Sequence, residues 1–131
     1  VWPAPFIGTF HNMSSDAPST RGTVVCLLTT PRGDADSIAD AVIERKLAAC
    51  VNIVASVKSV YWWKGKVEQD EEALLVLKTT SSAVGRIDDL LRTVHPYENF
   101  ELISFAADGG SHAYLDWIVD SVEKPQQKAR S

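Results

Sequence analysis

A chain of 131 residues with 45% apolar and 23% charged content is long enough for one domain with a real core, and a chain disordered throughout is excluded. The 13 basic and 17 acidic side chains leave a net charge of −4, which gives no electrostatic reason to seek nucleic acid or an anionic membrane. No apolar run approaches the roughly 20 residues needed to cross a bilayer, so membrane insertion is not expected.

Residues 1–22 mix Pro, Gly, Ser, Thr and Asp without periodicity and read as a flexible arm. Met13, the only methionine, is a candidate natural start. Residues 1–12 would then be vector-derived, with a natural extension or a trimmed targeting segment as the alternatives. Cys26 and Cys50 are too few for a disulfide scaffold and lie in apolar segments, which favours free thiols in a reducing, cytoplasmic setting.

From Thr23 to Thr29 a β-branched and aliphatic run reads as a buried strand, stopped by Pro31-Arg32-Gly33-Asp34. Ala35, Ile38, Ala39, Val42 and Ile43 then recur at steps of three and four, which predicts a helix to about Leu47 with Asp34 as its cap. Residues 49–63 form a strand whose Val51, Ile53, Ala55, Val57, Tyr61 and Trp63 share one face. Lys64-Gly65-Lys66 turns it into a second strand from Val67 to Thr79. That strand is acidic at first (Glu68, Asp70, Glu71, Glu72) and continuously apolar from Ala73 to Leu77, so the two make a long hairpin.

Ser81 or Ser82 can cap a second helix with Val84, Ile87, Leu91 and Val94 on its apolar face, ended by His95-Pro96 because proline cannot continue it. Glu101 to Ala106 is a last strand. After Gly109-Gly110 a third helix carries Leu115, Ile118, Val119 and Val122, and residues 123–131 read as a tail. The order β-α-β-β-α-β-α over residues 23–122 predicts an α+β, ferredoxin-like sandwich with an extra C-terminal helix, its sheet covered on one face only. An uncovered face and a hairpin carrying two tryptophans invite edge pairing, so copies of the chain are expected to cover one another as a closed homo-oligomer.

Four segments carry a resemblance: Leu47-Ala48-Ala49-Cys50-Val51-Asn52, Tyr61-Trp62-Trp63-Lys64-Gly65-Lys66-Val67-Glu68, Leu77-Lys78-Thr79 and His95-Pro96-Tyr97-Glu98. In this order and spacing they resemble the CutA family of divalent-cation-tolerance proteins. The resemblance implies a compact homotrimer with hairpins of neighbouring subunits pairing at the edges, and a role in the response to metal ions. It also implies a candidate copper site at the end of the first strand and before Pro96. Of the three ligands described in some bacterial relatives, Leu28 and Val94 occupy two positions here and only His95 remains. Relatives usually carry a proline soon after the His-Pro-Tyr-Glu segment, where this chain has Asn99-Phe100, so the loop into the last strand is expected to differ.

A single imidazole needs further donors, and the available ones are Glu101, Cys26 on the same strand face as Leu28, or groups from another subunit. His95, Glu101 and Cys26 are therefore the candidate ligands for Cu²⁺ or another divalent cation, against the alternative that these positions are packed core. No resident cofactor is expected. Tyr61, Trp62, Trp63, Lys78 and Tyr97 are candidates for an inter-subunit pocket or interface, able to stack on a planar ligand or to bury aromatic area between copies. No activated nucleophile or carboxylate pair is recognisable, so catalysis is not expected. The rival readings are an effector-binding trimer like the PII signalling proteins and a scaffold or anchoring protein.

Overall fold

The structure, a computed structural model, describes residues 22–125. Met13, nearly all of the expected N-terminal arm and residues 126–131 lie outside the described residues.

Strand β1 (Thr23–Thr30) alternates: Val24, Cys26, Leu28 and Thr30 are buried, with Val25, Leu27 and Thr29 half-buried between them. Pro31 ends it, and a 3-10 turn over Arg32–Asp34 leads into α1 (Ala35–Glu44). Asp34 does not cap that helix as expected. Its backbone is already helical, because the turn delivers it there, and its side chain makes no capping bond.

The helix also stops before Leu47. Lys46 takes a left-handed φ of 55°, its N–H reaches the Ile43 carbonyl at 2.9 Å, and the Leu47 N–H reaches the Val42 carbonyl at 3.1 Å. This is a Schellman closure with lysine in the place glycine usually fills, sealed by buried Leu47 and Val42.

Strands β2 (Cys50–Trp63) and β3 (Lys66–Thr80) pair from end to end, down to Trp63 opposite Lys66. The turn is therefore only two residues, Lys64 and Gly65, both at positive φ, the geometry that matches strand twist in a tight hairpin.

One expectation about β2 is corrected. Val54 pairs with Leu74 but Val57 with Glu72, so two residues of β2 oppose one of β3. This β-bulge reverses the alternation. Val51 and Ile53 face the helices, whereas Val57, Tyr61 and Trp63 fall on the opposite side. Arg32 marks the kink, its Nε donating to the Ala55 carbonyl at 3.2 Å while its guanidinium lies 3.6 Å from Glu71.

A 3-10 turn over Ser81–Ala83, without a side-chain cap, precedes α2 (Val84–Val94). Its buried residues are Ile87, Leu90 and Leu91. Val94, expected in the core, is 39% exposed, because Pro96 holds His95 extended and the last turn leaves the core before reaching it. Strand β4 (Leu102–Ala106) follows, then α3 (His112–Ser121), whose Ile118, with Val122 just beyond the helix, packs against Ala83 and Ala49 as a separate small cluster.

The sheet order is β2-β3-β1-β4, all neighbours antiparallel. Helices α1 and α2 cover one face, where Cys26, Leu28, Ile38, Val42, Leu75, Leu77, Ile87 and Leu91 form the core. This is the ferredoxin-like α+β arrangement. Neither α1 nor α2 covers the other face, where Tyr114 of α3 reaches Cys50 and where Ile103 (56%) and Phe105 (49%) lie exposed. No helix among the described residues is long and apolar enough to cross a membrane.

Candidate functional site

Pro96 forces the chain out of α2 at His95 and turns the imidazole back over the end of β1. His95 is 8% exposed, its Nε2 lies 2.8 Å from the Thr29 carbonyl oxygen, and its Nδ1 accepts the Tyr97 N–H at 3.0 Å. A carbonyl can only accept, so the proton sits on Nε2 and the Nδ1 lone pair is taken by a backbone donor. Phe100 stacks on the ring at a centroid distance of 5.0 Å, and Tyr97 tilts against it at the same distance. Both nitrogens are thus committed to holding the junction.

Beside it stands a pair of carboxylates that sequence reasoning did not assemble. Glu72 is buried and hydrogen-bonds the Tyr97 hydroxyl. Glu101 lies close enough that burial first, and then the negative charge of Glu72, push its carboxyl above the usual range. Burial and the same carboxylate push the Tyr97 phenol up as well. Two residues along the same face of β3, the Tyr61 hydroxyl donates to Asp70, and that bond, more than burial, pushes the phenol up to about 12. The acidic run at the start of β3 therefore supplies two tyrosine–carboxylate pairs. The signal available in sequence was parity: Asp70 and Glu72 alternate with Leu74 and so share its face.

Cys26 is elsewhere. It is fully buried in the core, and burial alone pushes its thiol up to about 11, so it is protonated and inert at neutral pH. Among the described residues no three His, Cys, Asp or Glu side chains stand together as a metal cluster, so the structure does not gather His95, Glu101 and Cys26 into one ligand set. The reason is directional. Cys26 points into the helix-covered core, while His95 meets β1 three residues further on, roughly 10 Å along the strand.

The remaining candidates spread over the open face and the hairpin. Lys78, opposite Cys50 in the β2–β3 ladder, donates to the Asn52 Oδ1, and the Cys50 thiol lies 3.8 Å from the same oxygen. Tyr114 of α3 reaches Cys50, with burial the main cause of its raised phenol pKa. Asn52, Cys50 and Tyr114, none of them a candidate site residue in the sequence, thus make a polar island around Lys78. Trp62 is 74% and Trp63 52% exposed, on opposite sides of the hairpin, while Tyr61 and Tyr97 are each exposed at their rims.

Residues 24–121, which include all of the sheet but its first residue, both covering helices and α3, match the family model described as CutA1 divalent ion tolerance protein. This chain belongs to the CutA1 family. The Xenopus laevis protein CutA homolog is 43% identical over 111 residues, covering 84% of this chain and 74% of that protein. Human protein CutA is 48% identical over 84 residues, 64% of this chain and 47% of the human protein. This chain thus spans about half the length of that CutA relative. The crystal structure of CutA1 from Oryza sativa superposes with a TM-score of 0.77 at 38% identity, covering 82% of this chain and all of that one.

Proposed function

We propose that this CutA1-family chain works as a homotrimeric divalent-cation-tolerance protein, assembling copies and contacting metal ions without catalysing a reaction. The observation that carries the reading is the family match over residues 24–121, which takes in every helix and all but the first residue of the sheet. Assembly is supported by the uncovered sheet face with Ile103 and Phe105, and by the exposed aromatic hairpin, both of which water disfavours. Free thiols at Cys26 and Cys50 fit a cytoplasmic residence.

Within one chain the groups best placed for Cu²⁺ or another divalent cation are Glu101 and Glu72, whose mutual repulsion a cation would relieve. His95 joins them only by surrendering the Tyr97 N–H, and Cys26 only by leaving the core.

Native mass spectrometry of metal-free protein, followed by stepwise Cu²⁺ and Zn²⁺ at physiological ionic strength, tests both parts. A trimer taking up three ions, and losing them on Glu101→Gln, is the expected result. A stable monomer would refute the assembly, and diffuse uptake unchanged by the substitution would refute the carboxylate contact.

A second reading, an effector-binding trimer, is favoured by the polar island of Lys78, Asn52, Cys50 and Tyr114 on the open face. It predicts a saturable small-molecule response lost on Lys78→Ala.

A further inference from the structure

Lys78 is a cation set among hydrogen-bond donors. It is half-buried on the open face, where the ladder puts Cys50 on one side of it and Val25 on the other, with Phe105 beyond Val25. These residues form one row across the four strands, spaced about 4.8 Å from strand to strand. Asn52 shares the face of Cys50 two positions along β2.

The polar groups here do not satisfy one another. The Lys78 ammonium donates to the Asn52 Oδ1, the Cys50 thiol lies 3.8 Å from that same oxygen, and Tyr114 reaches Cys50 from α3. An ammonium carries three donors, an amide nitrogen two, and a thiol and a phenol one each, yet they converge on one shared acceptor, the Asn52 oxygen. No carboxylate among the described residues pairs with Lys78. The nearest acid on its own strand and face is Glu72, six residues and so roughly 20 Å away.

Assembly sharpens the mismatch. Copies that cover one another's open faces take water from this ammonium, and a cation stripped of water without a counter-charge is costly. The surface around it is apolar and aromatic. Val25 and Val76 flank it, Phe105 ends the row, and on the far side of Cys50 the Tyr114 ring packs at 5.5 Å on Trp117.

Resting on the effector-binding reading, we propose that the Lys78 island is the head-group site for a small monocarboxylate with a planar, apolar body. The carboxylate meets the Lys78 ammonium and accepts from the Asn52 amide and from the Cys50 or Tyr114 hydrogen, while the body lies over Val25 toward Phe105. One ammonium balances one negative charge. No second Lys or Arg stands in the row, so a phosphate monoester, with nearly two charges at neutral pH, would stay half-neutralised.

Cys50 reports occupancy directly, because Cys26 is fully buried and maleimide labelling of the native protein falls on Cys50. Benzoate is the probe, with benzamide as its neutral counterpart and phenyl phosphate as the more highly charged one. In the full-length wild type, benzoate should slow Cys50 labelling saturably, benzamide should not, and phenyl phosphate should need about tenfold more. Lys78→Met, checked as folded by circular dichroism, should raise the half-protecting benzoate concentration by about tenfold or more, and Lys78→Arg should restore most of the protection.

Equal protection by benzamide or phenyl phosphate, or benzoate protection unchanged in Lys78→Met, overturns the carboxylate site and leaves an effector of another class standing. So does protection by neutral or cationic compounds alone. Labelling indifferent to all of these overturns the effector reading as well. A Lys78→Met trimer that dissociates, beside a wild type insensitive to benzoate, means that a second copy supplies the counter-charge, which also overturns the carboxylate site.

Discussion

The Nε2 of His95 lies 2.8 Å from the carbonyl oxygen of Thr29, joining the end of α2 to the end of β1 across 66 residues of sequence. Truncation to His95→Ala would leave that carbonyl and the Tyr97 N–H without partners in a nearly closed site. Each lost partner costs about 1–3 kcal/mol. Urea unfolding should show a loss of at least the lower figure with an unchanged slope, and a loss within error of zero would mean that the junction does not hold the fold.

The Glu101 carboxyl makes the fold depend on pH with a definite sign. Burial and the Glu72 charge raise its folded pKa above the ordinary 4.5, so the folded state holds the proton more tightly than the unfolded chain. That contribution is fully present below the unfolded pKa and is lost as pH rises through the folded one. Glu101→Gln should flatten this fall in the weakly acidic range and be at least as stable as wild type at pH 7. Unfolding midpoints at pH 4.5 and 7 that shift equally in both proteins would contradict the pairing with Glu72.

Only one thiol of the native protein should react quickly with a disulfide reagent. Cys50 is half-buried on the open face, whereas Cys26 is fully buried with its thiol pushed up to about 11. Cys26 should react only on unfolding. Its raised pKa also means that stability falls between about 9 and 11 as the unfolded thiol ionises first. Fast labelling that persists in Cys50→Ser would place Cys26 outside the core.

At the hairpin end, Gly65 has φ +78° with open space where a side chain would go. The cost of Gly65→Ala is therefore conformational, about 1–2 kcal/mol. Lys64→Asn, at φ 50°, should be neutral or mildly stabilising because asparagine tolerates that region. Thermal melts should show Gly65→Ala melting below wild type and Lys64→Asn at or above it.

Leu28 stands where a ligand cysteine was sought, and it is fully buried against the helices. Leu28→Ala should cost about 2–5 kcal/mol, the range for an emptied core leucine site. A cost below 1 kcal/mol would mean that the position is not packed as described.

What short-range chemistry dictates was legible from the residues themselves. The alternation of β1 marks its buried side, Pro96 ends α2 at His95, and Lys64-Gly65 closes the hairpin, because each depends on neighbours within a few positions. The α+β order, with one sheet face bare, followed from those pieces.

Tertiary structure alone decided the rest. The bulge between Val54 and Val57 adds one residue without leaving a periodic trace, so only the pairing with β3 shows that Tyr61 and Trp63 lie opposite Val51 and Ile53. Whether Glu101 meets Glu72 or His95 depends on where a loop lands against a strand, and that is set by packing between segments distant in sequence. The imidazole nitrogens of His95 look free in a sequence. In the fold they are spoken for by the Thr29 carbonyl and the Tyr97 amide, since a buried polar atom is stable only with a partner.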